Sequence, residues 1–356
     1  MDKSSINRAL MATYVIGHFA VDFACAFLLF RMVQASDHWY ICILLYNFCA
    51  FALQLPFGLL ADRWNHNALC AAIGCGMVVL AYGIGNISMS VHGFGSDTAI
   101  IMVVIAGIGN ALFHIGGGID VLNSSQEKIK LLGMFVAPGA LGIYLGTLYG
   151  KQDQIAPMVV AIIISVIAML ILLVCYYTRK SFRSDNVPLS LNGVQSSGIL
   201  LALLCFLFVV ILRSYTGMTA DFPWKGQGEW GIALVCGVIL GKVGGGFMGD
   251  WIGVKATSIL SLTLAALFYL LSGYPTFGTV AVFLFNMTMP ITLWGVAQIL
   301  KGAKGFAFGL LTFGLYIGFL PVYMEWTVLP ICGLTLAITS ICSMILIIIG
   351  LRKAVG

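Results

Sequence analysis

Two pairs of polar residues sit four apart inside long apolar runs: His18 and Asp22, and Asn110 and His114. Four residues is just over one helical turn, so on a helix each pair shares a face. A carboxylate beside an imidazole can hold and pass a proton, and histidine is the side chain that changes charge near neutral pH. Asp22 is the expected proton acceptor, with His18 sharing or tuning the proton; Asp22 could instead be a structural partner of His18 or Arg213. Two cations occupy similarly apolar surroundings, Arg213 and Lys242. Arg213 offers a planar, two-pronged donor suited to a carboxylate or phosphate. Its partner must come from another element or from the substrate, and Asp22 is the expected protein partner. Lys242 either snorkels or pairs with a carbonyl. With both histidines neutral, this set is net positive and favours an organic anion as ligand.

The elements that carry these residues must be membrane helices. The chain has 356 residues, 60% hydrophobic and 9% charged, with mean hydropathy +1.03. Soluble domains carry about 25% charged residues, so this chain cannot cover a water-facing surface. An ionisable side chain near the centre of a spanning helix costs roughly 2.5–3.5 kcal/mol on insertion scales. Each such residue must therefore face a cavity or a partner. A span needs about 20 apolar residues. Twelve runs qualify, at about 7–30, 39–61, 68–87, 98–122, 131–150, 155–177, 197–218, 229–249, 256–273, 276–300, 305–325 and 328–350. The first is read as a retained helix, not a signal peptide. The ten cysteines lie in apolar stretches with no CxxC pair, so they imply neither a disulfide framework nor a metal site.

The longest hydrophilic stretch, 179–197, divides the chain into 1–178 and 198–356, two six-helix bundles joined by a linker. With both termini on one side, thirteen Lys and Arg fall on that side and three on the other. That bias predicts cytoplasmic termini and a multi-pass protein of the inner, cytoplasmic membrane. The second run ends in Gly58-Leu-Leu-Ala-Asp62-Arg63 and the eighth in Gly246-Phe-Met-Gly-Asp250. The repeat of Gly-x-x-x-Asp half a chain apart is what a duplicated unit leaves. Asp62, Arg63 and Asp250 are candidates to bridge to neighbouring helices and lock one state.

This pattern resembles the major facilitator superfamily. "GLLADRWNH" keeps Gly58, Leu60, Ala61, Asp62 and Arg63 of the family's loop signature and departs from it at Asn65 and His66. The fifth run, Gly133 to Gly146 with Pro138 and Gly139, looks like the Gly/Pro-rich helix of the family's antiporters. The general look is loosely similar to the fosmidomycin-resistance group of exporters. The resemblance implies an all-α polytopic fold of two pseudo-symmetric six-helix bundles, with helices one, four, seven and ten around a central path. It implies that His18, Asp22, Asn110, His114, Arg213, Asn286 and Gln298 point at that path. It places Tyr46, Asn47, Gln54, Tyr144, Lys242 and Tyr316 on its sides as further substrate-binding candidates, and Pro138 and Gly139 at a bendable gating interface.

The expected function is secondary active transport of a small organic, anionic solute by alternating access, coupled to protons, with antiport and export favoured. The alternatives are a broad-specificity drug efflux pump, an integral membrane enzyme or a lipid-handling protein. "GVILGK" lacks phosphate-loop spacing and a Ser or Thr after Lys242, and no G-x-S-x-G or HExxH occurs. No cofactor and no nucleic acid is expected, and no enzymatic activity. The partners are the solute, protons and the bilayer, and the chain is expected to function as a monomer.

Overall fold

The computed structural model describes residues 3–91, 95–125, 128–178, 188–189, 197–326 and 332–354. Eleven helices among them are long and apolar enough to span: α1 Arg8–Val33, α2 Trp39–Trp64, α3 Asn67–Ser88, α4 Ser96–Ser124, α5 Lys130–Gln152, α6 Pro157–Tyr177, α7 Gly198–Thr219, α8 Trp230–Ile252, α10 Pro275–Ile299, α11 Lys304–Tyr323 and α12 Gly333–Ala354. The twelfth, α9, is the shorter apolar helix Val254–Leu270. All twelve expected runs are helical where described, with ends moved by a few residues; 328–331 of the last run lie outside the described residues. Most of the expected linker lies outside the described residues.

Four spans are irregular, α10 among them, broken at Met287 between Pro275–Asn286 and Thr288–Ile299. α1 ends in a π-helical turn at Leu29–Val33, and α2 carries another at Phe48–Ala52. α5 is interrupted at Ala137. Pro138 has no N–H to give, and the Ala140 N–H turns to the Ala137 carbonyl.

The helix contacts repeat between the halves. α1 packs on α5 as α7 does on α11, α3 on α6 as α9 on α12, and α2 on α4 as α8 on α10. Across the halves the principal seams are α2 with α11 and α5 with α8. These seams exchange places under the same two-fold relation. Glycines set their closeness. A Cβ at Gly58 would overlap the backbone of Gly305, and one at Gly309 would overlap the backbone of Gln54. At Gly245 a Cβ would overlap the Met287 backbone, which ties α8 to α10. Small residues are what let membrane helices approach to backbone contact.

Candidate functional site

The site grows from one face of α1. His18 Nε2 lies 3.2 Å from Asp22 Oδ2. From α4, Asn110 Nδ2 donates to Asp22 Oδ1 over 3.0 Å, and His114 Nε2 lies 3.6 Å from the same oxygen. The two imidazoles meet edge-to-face with centroids 4.5 Å apart. The pairs expected at spacing four thus converge on a single carboxylate.

The proton positions follow from the partners. His114 Nδ1 lies 2.8 Å from the Asn110 carbonyl, which can only accept, so Nδ1 carries a hydrogen. A neutral His114 would then turn the Nε2 lone pair towards an Asp22 oxygen, acceptor against acceptor. One proton placed between Asp22 and His114 removes that conflict. His18 Nδ1 is buried and has no hydrogen-bond partner among the described residues, and Nε2 is the nitrogen through which His18 meets the carboxylate.

Asp22, His18 and His114 also offer three ligand atoms within 4.8 Å of one another, a set able to hold a metal ion. Hydrogen bonds from Asn110, and to its carbonyl, organise the same atoms without one.

α5 closes over the cluster. A Cβ at Gly139 would overlap both Asp22 Oδ2 and His18 Nε2, and Cβ atoms at Gly142 and Gly146 would overlap the carbonyls of Phe19 and Phe23. Gly139 thus packs within the first half, against α1 and the carboxylate. The cross-half glycine of α5 is Gly133, which faces the Lys242 carbonyl and Gly246.

The second half presents cations. Lys242 Nζ donates to the Val136 carbonyl over 3.1 Å. That carbonyl is the one released when Ala140 bonds to Ala137 at the Pro138 break. Of the two readings of Lys242, the carbonyl partner is the one observed. Among the described residues Arg213 makes only long contacts, from Nη1 to Thr288 Oγ1 at 3.5 Å and to Thr292 Oγ1 at 3.4 Å. The expected Arg213–Asp22 ion pair is absent. Asp22 is already filled by its own half, and Arg213 turns to the hydroxyls of α10. The guanidinium is buried, with most of its donor capacity uncommitted to protein. Lys242 lies within electrostatic range of both Arg213 and Asp22.

The other candidates separate into groups. Tyr46 is buried beside Cys25, in electrostatic range of Asp22. Asn47 donates to the Ile43 carbonyl, and Gln54 to the Ala50 carbonyl. Tyr316 stacks edge-on against Phe48 at 5.9 Å. Asn47, Gln54 and Tyr316 therefore belong to the α2–α11 region. Asn286 donates to the Val282 carbonyl in its own helix and packs against Gly241 of α8. Tyr144 is half-buried on α5.

The gate candidates form two reciprocal clamps. Asp62 on α2 accepts from the Gly305 N–H at 2.8 Å and the Phe306 N–H at 2.9 Å, at the start of α11. Asp250 on α8 accepts from the Ile129 N–H at 2.7 Å and the Lys130 N–H at 3.3 Å, at the start of α5. Each carboxylate meets unpaired amides and the positive end of a helix dipole in the opposite half. Lys304 adds a cross-half bond to Asn123 Oδ1 at 2.5 Å. Arg63 is exposed and forms no ion pair among the described residues.

One buried acid lies outside the expected set. Asp120 accepts from Tyr14 Oη at 2.7 Å and Asn67 Nδ2 at 2.8 Å, binding α1, α3 and α4 together. Asp120 was visible in the sequence, but its partners come from distant helices. Thr288 and Thr292 were likewise unmarked, because isolated threonines in a membrane helix usually bond to their own backbone.

No family model matches this chain, and no curated protein does. Solved structures do. A variant of the E. coli fucose:proton symporter FucP is 12% identical, with 99% of each chain covered and a TM-score of 0.68. A major facilitator superfamily transporter, FucP, in the outward conformation, is 13% identical, with 98% of each chain covered and a TM-score of 0.66. At that identity the likeness establishes the fold: twelve helices in the major facilitator arrangement.

Proposed function

We propose that the chain is a secondary active transporter that moves a small organic anion through the interface of its two halves, coupled to protons. The observation that carries this reading is the division of charge at the centre. One half presents a carboxylate with two imidazoles; the other presents Arg213 and Lys242, with no ion pair joining them. A buried guanidinium held only by two long hydroxyl contacts has donors left for an anion. Asp22, Asn110 and His114 meet in a geometry that accommodates one shared proton. The similar fold of a fucose:proton symporter supports transport and proton coupling.

In this reading the anion engages Arg213, with Lys242 close by, while Asp22 takes or releases the coupling proton. The ligand does not act by displacing an Arg213–Asp22 pair. Its negative charge in electrostatic reach of the Asp22 cluster favours the protonated form of that cluster, which links the two events. Asp62 and Asp250 hold the halves together at one end, read from the charge bias as the cytoplasmic one. Antiport, and hence export, is the direction retained, on the Gly/Pro pattern of α5. Both termini are placed in the cytoplasm of a cell with this chain in its inner membrane, and the monomer is the working unit.

Transport in proteoliposomes and ligand binding by purified protein test the assignment with three variants. Asp22→Asn should abolish gradient-driven accumulation while keeping counterflow exchange; accumulation at the wild-type level removes Asp22 from coupling. A thermal-shift screen across anionic, zwitterionic and cationic metabolites should find an anion. Its binding should be lost in Arg213→Ala and weakly kept in Arg213→Lys, because Lys retains charge but not the two-pronged donor. A cationic ligand, or affinity indifferent to Arg213→Ala, overturns the anion assignment.

A further inference from the structure

A groove of about 640 Å³ lies away from the centre, at the end of the molecule that carries the clamps. It is bounded by the junction of α8 and α9 and by the last turns of α12. Ile259, Ile348 and Leu351 give it an apolar side, and Lys255 and Arg352 are the cations of its lining. Both cations are exposed, and neither takes part in an ion pair among the described residues. The nearby acid, Asp250, is engaged with the start of α5.

The backbone adds to the positive character. Gly253 has a φ of 87° and turns the chain sharply from α8 into α9. The first helical bond there runs from the Thr257 N–H to the Gly253 carbonyl. The amides of Val254, Lys255 and Ala256 therefore precede the ladder. The N-cap residue, Gly253, has no side chain to cap them, and the first turn holds no acid. Trp251, 80% exposed on the adjoining turn, has the character of a side chain at headgroup depth.

We infer that this groove is a binding site for an anionic phospholipid, with the phosphate between Lys255 and Arg352 at the start of α9 and an acyl chain along Ile259 and Ile348. Charge complementarity selects the headgroup, and the apolar wall selects a lipid over a soluble anion. Basic pockets between helices at a membrane surface recognise such headgroups, with about 1 kcal/mol contributed per cation. The transport reading is not required for this site.

Native mass spectrometry of the purified full chain, offered phosphatidylglycerol and phosphatidylethanolamine in turn, tests it. Phosphatidylglycerol should bind roughly tenfold or more tightly. Lys255→Ala with Arg352→Ala should remove that preference, while Lys301→Ala, an exposed cation elsewhere at this end, should keep it. Ala256→Trp fills the groove and leaves both cations; it should also abolish the adduct. Equal binding of the two lipids, an unchanged preference in the double variant, or persistence of the adduct in Ala256→Trp overturns the site. Displacement of the lipid by millimolar inorganic phosphate alone overturns the lipid assignment in favour of a soluble anion.

Discussion

The two clamps are built on the same motif and make the same kind of bond, yet they sit in different surroundings. Asp62 is 2% exposed, while Asp250 is exposed. The partner of Asp62 begins with a glycine, Gly305, where a Cβ would overlap the Gly58 carbonyl and approach Asp62 Oδ1 to 2.9 Å. The equivalent position in α5 is Ile129, whose side chain rests against Gly249 with room to spare. Symmetry thus supplies the hydrogen bonds twice and a close backbone approach twice, since a Cβ at Gly246 would come within 2.8 Å of Lys130 Cα and one at Gly133 within 2.6 Å of the Lys242 carbonyl; the clamps differ in burial and in the glycine that Asp62 alone meets as its partner. A charged hydrogen bond removed from water contributes about 1.5–3 kcal/mol; an exposed charge interaction contributes about 0–1 kcal/mol. The α2–α11 clamp should therefore dominate the equilibrium between closed and open at this end.

Breaking the stronger clamp sterically should have the largest effect. Gly305→Val places a branched side chain against backbone that cannot yield, at or above the roughly 1–3 kcal/mol of ordinary overpacking. Each 1.4 kcal/mol changes the closed-to-open ratio about tenfold. On a cysteine-depleted background, a reporter cysteine lining the clamped end should become labelled about a hundredfold more readily. Labelling at the parent rate would mean that the glycine contact is not what holds this end.

Removing charge comes next. Asp62→Asn keeps the shape but loses one acceptor and the attraction to the start of α11, so labelling should rise about ten- to thirtyfold. Asp250→Asn, made in the same background, should raise it only two- to threefold. Equal effects would show that burial does not set the difference and would restore a symmetric gate. The smallest change is expected from Gly249→Ala, whose Cβ meets Ile129 Cδ1 at an ordinary 3.4 Å. Its labelling should match the parent, and a large rise there would show that the Asp250 clamp tolerates no added volume even beside the Ile129 side chain.

The sequence by itself determined that this is a twelve-helix membrane protein with a duplicated plan. Hydropathy and the two Gly-x-x-x-Asp turns are local or periodic signals and survive without any knowledge of packing. It also marked Asp22, His18, Asn110 and His114, since each is too costly to leave in lipid. Helix rotation and partner choice are another matter. Asn110 reaches Asp22 across 88 residues and Asp62 reaches Gly305 across 243. No spacing rule spans such separations. Arg213 shows the limit most plainly: its charge demanded a partner, and Asp22 on the first helix of the other half was the expected one. Only the folded arrangement shows Asp22 saturated by α1 and α4, leaving Arg213 with Thr288 and Thr292. The same holds for Gly139, legible as a small residue in a flexible helix but decided by packing to be the space in which a carboxylate and an imidazole meet. A single chain records which groups cannot face lipid; which of them face one another depends on helix rotations set by every neighbouring contact at once.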